Sequence, residues 1–178
     1  MIRLFAAIHI PEDIGEALLE RQDGIPGAHW RDLDAFHITL RFFGDIPENQ
    51  AEDVDAELST VTSPPFALEL AGAGSFGEGE HINAVWAGVA ENPLLSQLHG
   101  RCEAGARRAG LKPETRAYRP HVTLAYLKRP EPTKVAAWIQ ANNLLHSPPF
   151  SVDRFGLYSS WQTDEGSRYR LEREYPLG

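Results

Sequence analysis

Two tetrapeptides hold the residues best suited to chemistry in this chain: His37-Ile38-Thr39-Leu40 and, 84 positions later, His121-Val122-Thr123-Leu124. In each, a histidine and a threonine flank a β-branched apolar residue. β-Branched residues favour strands, where alternate side chains face the same way, so the imidazole and the hydroxyl of each motif share a face about 7 Å apart. Strict alternation adds Arg41 to the His37 face and sends Ile38, Leu40 and Phe42 to the other. It likewise turns Val122 and Leu124 toward a core. One such motif would mean little, because hydrogen-bonded histidines are common on strands. Two copies in a chain of 178 residues, each in its own half, point to a pair that works together.

Imidazole has an unperturbed pKa of ~6.5, so near neutral pH one ring can give a proton while another takes one. Two such rings facing across a cleft are enough for acid–base cleavage of a phosphodiester. One protonates the leaving oxygen, the other draws a proton from water, and the threonine hydroxyls donate hydrogen bonds to the nonbridging oxygens. This scheme calls for no metal and no cofactor, and the sequence contains no H-E-x-x-H.

The elements that must position these residues follow from apolar patterning. Strands are predicted over 3–10, 36–43, 66–71, 83–89, 121–127, 150–159 and 168–175, the last two closing as a pair across the loop 162–167. Helices are predicted over 11–22, 48–61 and 133–142, and from the Asn92-Pro93 start to a stop at Gly110. This order suits an α+β fold with antiparallel sheets and flanking helices. Residues 5–37 resemble 85–121 in layout, which predicts a duplicated unit, and no low-complexity linker separates the halves. The expected organisation is therefore one domain over 1–178 made of two lobes, each giving one His-x-Thr strand.

Composition narrows the partners. With 17 Lys+Arg against 25 Asp+Glu the formal net charge is −8, so no extended nucleic-acid surface is expected and an anionic ligand must be small or meet a local basic pocket. The longest apolar runs fall far short of the ~20 residues of a membrane helix. The N-terminus reads as a strand rather than a signal peptide, there is no N-x-[ST] sequon, and the lone Cys102 allows no disulfide framework. Together these lead us to expect a cytoplasmic protein with no membrane partner. Other features have plainer readings. Gly72-Ala73-Gly74-Ser75-Phe76-Gly77 satisfies G-x-G-x-x-G but precedes a strand rather than a helix, so it reads as a flexible hairpin connection. Cys102 falls on the apolar stripe of its helix. His9, His29, His81, His99 and His146 share no motif. Phe5, Trp30, Phe43 and Tyr158 are candidates for a base-stacking surface, and Arg119, just ahead of Pro120-His121, for a phosphate contact.

Several segments together resemble the two-histidine (2H) phosphoesterase superfamily, and within it the RNA 2′,3′-cyclic phosphodiesterases of the LigT/ThpR type, also called 2′-5′ RNA ligases. They are RLFAAIHIP, FHITLRFFGDI, NAVWAGV, YRPHVTLAY and LYSSWQTDEGSRYRLEREYPL. The resemblance implies two pseudo-twofold-related lobes with the active cleft between them. It also implies hydrolysis of RNA or nucleoside 2′,3′-cyclic phosphates to 2′-phosphomonoesters, in some members with reversible 2′-5′ ligation. By position in the motifs, His37 matches the proton donor, His121 the proton acceptor, and Thr39 and Thr123 the phosphate-contacting threonines. One position departs. Where the family often has HVTLAR, this chain has Tyr126, and Arg41, Arg119 and Lys128 are candidate substitutes. Strict alternation sets position 126 on the face opposite His121. Two alternatives remain open at this stage: a non-catalytic module for RNA ends or nucleotides, and a 2H phosphodiesterase for another cyclic phosphate or a 2′-5′ oligonucleotide.

Overall fold

A computed structural model describes all 178 residues. The chain begins with β1 (Ile2–His9), whose central residues are buried on both faces, as befits a strand flanked on either side. Pro11 leads into α1 (Glu12–Leu19), which buries Ile14 and Leu18. Then come the two-residue β2 (His29–Trp30), β3 (His37–Ile46), α2 (Glu48–Leu58), β4 (Phe66–Leu68), β5 (Leu70–Phe76) and β6 (Ala84–Val89). The second half continues with α3 (Pro93–Arg108), β7 (His121–Tyr126), α4 (Pro132–Asn142), β8 (Phe150–Val152), β9 (Arg154–Thr163) and β10 (Gly166–Pro176).

Two four-stranded antiparallel sheets result, in the orders β10-β9-β1-β3 and β2-β7-β6-β5, with β4 and β8 forming a separate ribbon. Each His-x-Thr motif starts one strand, β3 in the first sheet and β7 in the second, and these two strands approach each other. This is the α+β, two-lobed arrangement that the element order predicts. The helices flank it: α2 packs on α3 and β1, α3 on β3, and α4 on β5. Asn92 caps α3 by accepting from the amides of Leu94 (2.9 Å) and Leu95 (3.2 Å), and Gly110, at φ +91°, ends it. Leu95, Leu98 and Cys102 lie on its buried side. One cluster of 38 buried residues runs beneath both sheets, so the cleft sits on a shared core.

Four details differ from the sequence expectation. The segment 66–71 divides into β4 and β5, which join different sheets, and 150–159 divides likewise into β8 and β9. The glycine-rich stretch is no loop: residues 72–76 belong to β5. Glycine serves packing there, because a Cβ on Gly74 would come within 2.5 Å of the Trp86 indole lying across it. The last hairpin turns over Asp164 and Glu165 alone, tighter than the predicted six-residue loop. Finally, β2 is too short for any periodicity to announce it, yet it forms the edge of the second sheet against β7.

Candidate active site

Each motif strand carries one extra residue at the same place. In β3, Thr39 lies opposite Ala7 and Arg41 opposite Ala6, which leaves Leu40 unpaired. In β7, Thr123 lies opposite Trp86 and Ala125 opposite Val85, which leaves Leu124 unpaired. A bulge of this kind resets the alternation of the strand. Leu40 and Arg41 are consecutively buried, as are Leu124 and Ala125, and the next residue in each strand emerges: Phe42 is 41% and Tyr126 46% exposed. The inward placement expected for Phe42 and the far-side placement expected for Tyr126 are both corrected by this shift. The carbonyls freed from the ladder find other donors. That of Leu40 accepts from His99 Nδ1 at 2.7 Å, and that of Leu124 accepts from the Arg31 amide at 2.8 Å and Gln22 Nε2 at 3.2 Å.

The bulges let each strand present histidine, threonine and an aromatic ring toward the cleft. His37, Thr39, His121, Thr123, and Tyr126 line one cavity of about 130 Å³, room for roughly four waters or a phosphate-sized anion. His121 Nδ1 donates to the carbonyl of Arg119, two residues upstream, at 2.6 Å. Beside the His37 ring stands the carbonyl of Ala35, again two residues upstream, which favours the charged form against the larger effect of burial. With Nδ1 of His121 engaged as a donor, its Nε2 keeps a lone pair for the cleft. Aromatic walls complete each setting: Phe5 stacks on His37 at 4.8 Å and Tyr169 meets its edge at 5.1 Å, while Phe76 and Trp86 stand 4.8 and 5.9 Å from His121. Burial lowers both imidazole pKa values, that of His37 to about 4, with the nearby Arg31 and His121 adding to the effect.

The remaining sequence candidates lie in different places. Phe5 is only 4% exposed and sits between His37 and Tyr158, so it is a wall of the site rather than a surface for ligand. Tyr158 opens onto a separate groove of about 610 Å³, which reaches the histidine cavity only through the shared Tyr169. Trp30 packs on Trp138, and Phe43 is buried. Arg41 does not continue the His37 face. It is buried with all three guanidinium nitrogens engaged, by Glu103, the Phe42 carbonyl and the Lys112 carbonyl. Arg119 is exposed and lines a groove of about 600 Å³ that runs from Thr39 and His121 past Phe42, Phe76 and Arg116. Lys128 lines none of these three cavities. Two wall residues of the histidine cavity had no signal in the sequence: Arg31, carried in beside β2, and Tyr169 of β10. Nowhere do three His, Cys, Asp or Glu side chains gather as a metal-ligand group, and no helix is long and apolar enough to cross a membrane.

A paired His-x-Thr cleft between two antiparallel lobes defines a class, and the family model for the 2′-5′ RNA ligase superfamily matches residues 15–164. The chain belongs to that superfamily. It is similar to the RNA 2′,3′-cyclic phosphodiesterase of Methanocaldococcus jannaschii, with 28% identity over 98% of this chain and 100% of the relative. The enzyme of the same name from Archaeoglobus fulgidus is 27% identical over 95% and 97% of the two chains. Among solved structures, Escherichia coli LigT complexed with 3′-AMP superposes with a TM-score of 0.80 at 26% identity, covering 99% of this chain and 98% of that one. LigT has also been crystallised with ATP and with NADP+.

Proposed function

We infer that this protein hydrolyses RNA or nucleoside 2′,3′-cyclic phosphates to 2′-phosphomonoesters. The observation that carries the reading is the convergence of two imidazoles and two threonine hydroxyls on one phosphate-sized cavity. The names of the relatives support the substrate class. His121, its Nδ1 tied to Arg119, takes a proton from water through Nε2 as the water oxygen attacks phosphorus. The bond from phosphorus to the 3′ oxygen breaks, and His37 delivers a proton to that oxygen. Thr39 and Thr123 donate to the nonbridging oxygens, where charge accumulates. With an RNA 5′-hydroxyl in place of water, the same groups would form a 2′-5′ linkage.

The low pKa of His37 gives this mechanism a condition. In the free protein, burial keeps the ring neutral at pH 7. A phosphodiester anion at contact distance favours the imidazolium, so the donor gains its proton together with the substrate. Incubation with 2′,3′-cyclic AMP followed by phosphorus NMR tests the reading. Conversion to 2′-AMP is expected; production of 3′-AMP, or no turnover across the four 2′,3′-cyclic nucleotides, overturns it.

A further inference from the structure

Arg31 is a cation buried without an anion. Its backbone amide is fixed by the Leu124 carbonyl, so the bulge of β7 sets where the side chain begins. The residue is only 6% exposed, yet no carboxylate lies within ion-pair distance of its guanidinium. Nη2 donates to the Ser167 carbonyl at 3.0 Å and the Tyr169 hydroxyl at 3.3 Å, whereas Nε and Nη1 donate to no protein group. The Cζ atom stands 5.5 Å from the Tyr126 ring centroid and 5.6 Å from that of Tyr169, and all three residues line the histidine cavity. Arg41 shows what a self-sufficient buried arginine looks like in this fold: 8% exposed, paired with Glu103, every nitrogen engaged. The two nitrogens without a protein acceptor, Nε and Nη1, are not sealed from solvent, so they are open to an incoming ligand, and the planar fork of a guanidinium matches two oxygens of a phosphate.

We propose that Arg31 is the cation that binds the nonbridging phosphate oxygens of the substrate in this protein. Ser167 and Tyr169 aim it, and Tyr126 covers it. This assignment deepens the phosphodiesterase reading and rests on the cavity being a phosphate site. It makes Arg31 a catalytic residue that reaches the reacting phosphate from outside either His-x-Thr strand, held in the second sheet by the edge strand β2.

The test combines turnover of 2′,3′-cyclic AMP with binding of inorganic phosphate, measured by calorimetry, for the wild type, Arg31→Gln and Arg31→Gln/Tyr126→Arg. For Arg31→Gln we expect kcat/KM to fall ~10²–10³-fold and phosphate affinity at least ~10-fold. The added Tyr126→Arg, which brings a guanidinium to the same cavity from β7, is expected to recover at least ~10-fold of each. A merely structural role would lower the melting temperature without this recovery. A folded Arg31→Gln with wild-type rate and phosphate affinity overturns the assignment while leaving the hydrolase reading intact. Conversely, a wild type that turns over no cyclic nucleotide but loses phosphate affinity in Arg31→Gln overturns the hydrolase reading and keeps the anion site. Should Arg31→Gln fail to fold, Arg31→Lys takes its place: without the two-pronged contact, phosphate binding is expected to weaken ~10-fold, and wild-type affinity overturns the proposal.

Discussion

The two lobes build their histidine sites from the same parts and give them different surroundings. Both rings have the carbonyl two residues upstream beside them, both precede a threonine and a bulged leucine, and both stand against aromatic walls. In the first lobe Phe5 and Tyr169 close over His37, and Arg31 adds positive charge beside it. In the second, Phe76 and Trp86 leave His121 open to the 600 Å³ groove. Near-identical local sequence therefore yields two half-buried imidazoles on one cavity, of which His37 is the more strongly desolvated and His121 also opens to the larger groove. The division of roles proposed here follows that asymmetry: the ring that also faces the groove works on water, and the more desolvated ring gains its proton when an anion makes it favourable.

The largest effects should come from deleting either ring. His37→Ala and His121→Ala are each expected to lose ~10²–10⁴-fold in kcat, and the shapes of their pH profiles separate the roles. Without the donor, activity should no longer decline at high pH; without the acceptor, it should no longer rise from low pH. Interchanged profiles would reverse the assignment of the two lobes. Next come the hydroxyls. Thr39→Val and Thr123→Val should each lower kcat/KM about 10- to 100-fold, the range for a hydrogen bond to a charged group.

The pH dependence of the wild type gives a finer measure. Both rings titrate below 6.5 in the free protein, so the optimum of kcat/KM should fall below pH 6.5, and that of kcat should lie higher, because the bound anion favours imidazolium. An identical optimum for both parameters would remove the coupling between substrate and proton. The smallest effect is on stability. A histidine whose folded pKa is depressed contributes nothing unfavourable above the unfolded value of ~6.5 and destabilises as pH falls from there toward about 4. The cost of His37 over that window is about 3 kcal/mol at most. Urea unfolding at pH 7 and pH 4 should show a smaller acid loss for His37→Gln than for the wild type, and the corresponding change for His121→Gln should be less.

Much of this design can be read in the sequence, and what escapes does so for identifiable reasons. His37 and His121 share a cavity with Thr39 and Thr123 because strand alternation holds over three residues. It fails at the fourth, where Leu40 and Leu124 each insert one residue, so Phe42 and Tyr126 emerge on faces that simple alternation denies them. Nothing in a leucine announces a bulge; the partner strand decides it. Arg31 is invisible for a related reason, since its position depends on pairing between β2 and β7, about a hundred residues apart in sequence. Arg41 shows the converse. Its place beside the motif suggests a ligand contact, and only the approach of Glu103 from α3 reveals that it is already satisfied.

The unpaired leucines have a consequence for how this protein tolerates change. Each is the surplus residue of its bulge: with it, two neighbouring side chains go down into the core before the aromatic beyond them turns up. Removing Leu40 or Leu124 would set its two neighbours opposite consecutive partners, Ala7 and Ala6 or Trp86 and Val85, so regular alternation would still turn Arg41 or Ala125 inward and the aromatic outward; what would be lost is a fully buried leucine and the carbonyl that His99 or Arg31 bonds. The buried apolar side chain is thus what a one-residue deletion forfeits, and an isoleucine or methionine at either position should be accepted.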